Sequence, residues 1–133
     1  MARIQSRLET LTRQWWFYVL LLLLFFLPDY SSVPFDPRRT SDLITAVLSN
    51  PLIYSMPAIF PLFNLLPALI ILAVAIWGDR MTRLFDAYAA LTILLFAIFQ
   101  NAAATQEFGF AVIVGNVVIY SLVALGWFWE TAV

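Results

Sequence analysis

The chain contains no cysteine, no histidine and no lysine. The first two absences remove disulfides, thiol redox chemistry, cysteine nucleophiles and His-ligated haem, along with the usual zinc, copper and non-haem iron sites. The third leaves a serine or threonine nucleophile only a carboxylate as a partner base. Ser121 is the lone serine of the second half, and no such base accompanies it. Four glycines make no phosphate-binding loop. The carboxylates do not fall at calcium-loop spacing. No catalytic residue, cofactor or metal is expected, and an enzyme is disfavoured.

Charge is scarce as well. Only 11% of residues are charged, seven Arg against eight acids, for a net charge of −1. No basic stripe points to nucleic acid or to an anionic lipid surface.

What is abundant is hydrocarbon. Of the 133 residues 63% are hydrophobic, and the mean hydropathy is +0.91. One soluble core of this size could not hide that much apolar surface. The expectation is an all-α integral membrane protein, a single membrane domain over residues 1–133. It would have four transmembrane helices in an up-down bundle, at about 13–27, 57–77, 84–104 and 110–129.

The first fourteen residues read as an amphipathic extension, with Ile4, Leu8, Leu11 and Trp15 at helical spacing and Arg3, Arg7 and Arg13 on other faces. Trp15 to Leu27 is wholly apolar and ends at Pro28-Asp29. Thirteen residues rise only about 20 Å, so the span must borrow the preceding turn. A positive start followed by an apolar run also describes a secretory signal. The bulky core, opening with Trp15-Trp16, and the lack of a small-x-small cleavage site favour an uncleaved first helix.

Pro28 to Thr40 carries three prolines and reads as a loop. Leu43, Ile44, Val47 and Leu48 then share one side of a short interfacial helix at about 41–49. The second span is rich in proline. Pro67 displaces the carbonyl of Phe63 and offers no N–H, so a kink is expected there. Asn64, one turn earlier, could satisfy a freed backbone group or reach across to a neighbouring helix.

Orientation follows from arginine counting. Arg3, Arg7, Arg13, Arg80 and Arg83 fall on one side, and Arg38 and Arg39 on the other. All five tryptophans (Trp15, Trp16, Trp77, Trp127, Trp129) fall at span ends on the arginine-rich side. Both termini are therefore expected to be cytoplasmic, in a multi-pass protein of the cell membrane.

Polar residues at membrane depth are costly and mark candidate sites. Gln100, Asn101 and Asn116 form a candidate intramembrane polar cluster; the first two lie on a small-and-polar stripe of the third span that also holds Asp86, Ala90 and Ala97, and Asn116 lies on a strip of the fourth with Tyr120, Val123 and Trp127. One reading is interhelical packing with side-chain hydrogen bonds; the other is the lining of a polar pocket or path. Asp86 and Glu107 are the candidate ionisable groups. They are expected at opposite faces of the membrane, too far apart for paired-carboxylate chemistry. Asn64 with Pro67 is the candidate helix break.

Two functions compete. The first is a non-catalytic accessory, assembly or structural subunit of a larger membrane complex, whose partners are the bilayer and other subunits or itself. The second is a homo-oligomeric transporter or channel for ions or small solutes, using the polar face of spans three and four. A membrane enzyme acting on lipids or quinones through Asp86 or Glu107 is a distant third.

Overall fold

The computed structural model describes residues 9–132. The chain is mostly helical, with a small sheet set among the helices. Helix α1 spans Trp15–Leu24, α2 Thr40–Ser49, α3 Phe60–Trp77, α4 Thr82–Phe99 and α5 Val114–Ala132. The strands are β1 (Tyr30–Ser31), β2 (Ala102–Thr105) and β3 (Gly109–Val112). They pair antiparallel in the order β1-β3-β2.

The sheet is the main departure from an all-helical chain. The third helix was expected to run to residue 104, but it ends at Phe99, and Ala102–Thr105 turns back onto Gly109–Val112 as a hairpin. The fourth helix therefore starts at Val114 rather than near 110. Tyr30 and Ser31 pair with Val112 and Ala111. Ser32 extends the pairing, its N–H donating to Phe110 O at 2.9 Å. Pairing across some 80 residues is a tertiary event, and four-residue strands leave no periodic trace in a sequence.

Helix α2 packs on this sheet. Leu43 and Val47, four residues apart on one face, join Ala103, Phe108, Ala111 and Ile113 in the main buried cluster. The helix expected to rest in a membrane interface thus turns its apolar side inward to protein. Phe108 is enclosed by the edge of Phe35, with ring centroids 5.7 Å apart, and by the Arg39 guanidinium, 5.5 Å from its ring centre. Arg39 also bonds Glu107 at 2.5 Å and Asp42 at 3.2 Å, which ties the start of α2 to the hairpin turn. Those two carboxylates push the Arg39 pKa above its ordinary value.

Three of the helices adjoin the sheet in sequence: α1 leads into β1, α4 into β2, and α5 leaves β3. Residues 57–99 form one helical run long and apolar enough to cross a membrane. It is folded in two. Gly78, with φ 57°, ends α3, and a 3-10 turn, Gly78–Met81, leads into α4. Phe63 and Phe96 would lie about 50 Å apart in a straight helix, yet their rings are 5.1 Å apart. Helices α4 and α5 form the closest pair. Phe85 meets Trp127 at the end away from the sheet, centroids 6.0 Å apart, and Ala90, Ala97 and Ala124 are buried along the helices. Small side chains let two helices approach closely.

Helix α1 is shorter than expected. Gln14 is extended (ψ 132°) and separates helical residues 9–12 from α1, whose ten residues rise about 15 Å. The extension predicted over residues 1–14 lies largely outside the described residues. The end of α1 is pinned to α5 by a close backbone approach, since a Cβ added at Gly115 would sit 2.7 Å from Leu24 O and 3.2 Å from Phe25 Cα. Asp29 adds a second tie, accepting from the Val114 N–H at 3.2 Å and so satisfying one of the free donors at the start of α5. Burial pushes the Asp29 carboxyl above its ordinary pKa, and the Val114 hydrogen bond draws it part of the way back.

Candidate functional site

Where α4 gives way to β2, the helix needs partners for its last carbonyls. The N–H of Gln100 takes Phe96 O at 3.1 Å. The Asn101 side-chain amide lies 3.3 Å from both Phe96 O and Ala97 O. Its N–H groups are thereby committed to the helix end, so its Oδ1 must point the other way. There it accepts from Asn116 Nδ2 at 2.8 Å. The Asn101 main-chain carbonyl accepts from the Ile113 N–H at 2.9 Å. Asn101 is only 2% exposed, and its side chain and main-chain carbonyl are all engaged.

Asn116 stands two residues into α5 and is half-buried. With one N–H given to Asn101, it retains one N–H and its carbonyl oxygen. Gln100 and Tyr120 are nearby, and neither side chain hydrogen-bonds another described residue. These groups border a cavity of about 470 Å³ below the sheet, between α4, α5 and the end of α2. Leu48, Ile93 and Phe96 supply its apolar wall. The volume is in the range of small-molecule sites, and an apolar wall with a few converging polar groups is their usual make-up.

No family model, curated protein or solved structure matches this chain. The site therefore has to be read from its own chemistry.

The structure brings Gln100, Asn101 and Asn116 together, but not on facing helix stripes. Asn101 lies in the link between α4 and β2, where it fastens the helix end to α5. Tyr120 and Leu48 complete the cavity; the sequence placed them on helix faces but not among the candidate site residues. Tyr120 follows Asn116 by one helical turn, a signal that was available. Leu48 reaches the site only because α2 packs on the sheet, which no local pattern encodes.

The remaining candidates lie elsewhere. Glu107 is exposed in the hairpin turn and bonds Arg39. Asp86 is half-buried near the start of α4, and it makes no ion pair among the described residues. Helix α3 continues through Pro67 without interruption. Asn64 is exposed and makes no hydrogen bond among the described residues, so it does not mend the backbone there. Among the described residues no group of three or more acidic side chains is placed to hold a metal ion.

Proposed function

We propose that the chain is a four-span protein of the cytoplasmic membrane, with both termini on the cytoplasmic side, and that it serves as a non-catalytic accessory or assembly subunit of a larger membrane complex. The sheet and α2 would form a small cap on the outer face. Trp77, Trp127 and Trp129, with Arg80 and Arg83, would mark the cytoplasmic end. Helix α1 would complete its crossing with the segments that flank it.

The observation that carries the subunit reading is Asn64. Its amide stands exposed about one turn into α3, without a partner among the described residues, beside Leu62, Leu65 and Leu69, which are exposed too. Leucine is content against acyl chains, but an unpaired amide in hydrocarbon is not. A polar residue in that place is satisfied by a neighbouring transmembrane helix.

The test is gentle detergent extraction of the tagged protein, followed by identification of what travels with it. A fixed set of larger membrane proteins is expected, and Asn64→Leu should release them while the chain stays in the membrane. Recovery as a monodisperse, self-sufficient homo-oligomer would overturn the subunit reading.

The cavity supports a second reading, a homo-oligomeric transporter or channel. Flux of an ion or small solute into liposomes, lost on Gln100→Leu and kept on the lipid-facing Leu69→Ala, would favour it. Absence of flux for every small ion and amine tried would end it.

A further inference from the structure

Three features of the cavity beneath the sheet bear on what could occupy it. First, its free polar groups are neutral and two-sided. Gln100 offers two N–H and one C=O, Asn116 one N–H and one C=O, and Tyr120 a hydroxyl. Second, among the described residues no carboxylate or guanidinium lines it. A charged head would lose its hydration there with no counter-charge in return. Third, it is open at the side: Phe96 and Tyr120 are 39% and 45% exposed. Gln100 and Asn116 stand at its sheet end and Ile93 and Phe96 supply apolar wall, with the Tyr120 hydroxyl at the opening, and in the four-span reading that opening meets the bilayer just below the outer headgroups.

We infer that this cavity binds an uncharged, hydroxylated amphiphile of acylglycerol type. The head hydroxyls and ester carbonyl bond Gln100, Asn116 and Tyr120, and the chain leaves past Ile93 and Phe96. A head that both donates and accepts matches the lining, whereas a head with acceptors alone would leave the two amide oxygens unpaired. Asn101 also borders the cavity, but its side-chain polar atoms are already engaged by protein. Its side chain, held by the α4 carbonyls, fixes the Asn116 amide so that the carbonyl oxygen of Asn116 is left for the cavity. The inference rests on the chain lying in a bilayer, and it is independent of whether the chain is a subunit of something larger.

The experiment uses the full chain in lipid nanodiscs and a monoacylglycerol with a diazirine near the head end of its acyl chain. After irradiation, the labelled peptides are identified by mass spectrometry. Label is expected on the segments around Phe96 and Tyr120, displaced by excess monoolein but not by glycerol at the same concentration. Gln100→Leu, which removes a side chain that no other described residue uses, should lower labelling at least tenfold. Leu48→Trp, which fills the cavity, should do the same, and Leu69→Trp on the exposed face of α3 should leave it unchanged. A diazirine fatty acid, carrying a charged head, should label the site no more than background.

Equal labelling along α3 would overturn the proposal, as would equal labelling by the anionic probe. So would full competition by glycerol, or undiminished labelling in Gln100→Leu or Leu48→Trp. Failure of the membrane reading would show separately, as release of the chain by alkaline carbonate without detergent. Failure of the subunit reading would show only in the co-purification experiment.

Discussion

The bond between Asn101 and Asn116 is the best place to put the structure under strain. Asn116→Leu removes the donor 2.8 Å from Asn101 Oδ1 and leaves that oxygen buried, in a residue 2% exposed. Asn101 cannot turn its amide over to compensate. The flip would set its oxygen against Phe96 O and Ala97 O, where its nitrogen now lies at 3.3 Å. An orphaned buried acceptor costs about 1–3 kcal/mol, while couplings between polar side chains in membrane helices average about 0.6 and reach about 1.7 kcal/mol. Because Asn101 is buried and its amide is geometrically locked, a loss of about 2 kcal/mol is expected for Asn116→Leu.

Asn101→Leu should cost more, about 3 kcal/mol, because it also strips the amide from the last carbonyls of α4. The double variant should recover about 1.5 kcal/mol relative to the sum of the two. Asn116→Asp keeps the shape of the side chain but supplies no donor in its ionised form, and it should be at least as costly as leucine. The measurement is reversible unfolding in mixed micelles with increasing dodecyl sulfate, followed by tryptophan fluorescence. A coupling within about 0.3 kcal/mol of zero would refute the claim that Asn101 holds Asn116 in place.

Other outcomes can be checked with the same assay. Gly115→Ala forces a methyl group against the Leu24 carbonyl and should destabilise by about 1–3 kcal/mol, whereas Gly126→Ala meets nothing within 4 Å and should stabilise by about 0.5–1 kcal/mol. The reverse order would remove the α1–α5 contact. Asp29 binds its proton more tightly when folded than when unfolded, so its contribution is most favourable at low pH and is lost as pH rises from its ordinary value through its raised one. Asp29→Asn keeps an acceptor for Val114 without the buried charge. It should flatten that pH dependence and be neutral or stabilising at pH 7, and a steeper fall of stability with pH in the variant would contradict this. Glu107→Gln breaks an exposed ion pair with Arg39. Its small effect on the unfolding midpoint should vanish in high salt, and an effect that survives salt would mean that the pair does more than tether the hairpin turn.

Much of the helical layout was legible in the residues, and the reasons are local. Helix α2 begins and ends within a residue of its expected range because Leu43, Ile44, Val47 and Leu48 share one face and prolines follow it. Helix α3 reaches Trp77 as expected because Gly78-Asp79 cannot prolong an apolar rod. The errors gather between Gln100 and Ile113. There AAAT continues the alanine-rich composition of α4, and alanine favours a helix wherever neighbours do not decide otherwise. Here neighbours decide. The Asn101 amide closes the helix, and Ala103 and Ala111 are small enough to lie beneath Leu43 and Val47.

What this chain determined by itself is its helical content and its periodicity. Residues so rich in hydrocarbon and so poor in charge specify apolar helices, and proline, glycine and polar doublets mark where they stop, because each of these signals acts over a few neighbouring residues. The three-stranded sheet, the inward face of α2, the tie from Asp29 to α5 and the cavity beside Asn116 were decided only in the folded chain. Each joins segments far apart in sequence, by hydrogen bonds or contacts whose partners exist only once the helices have brought them within a few ångströms.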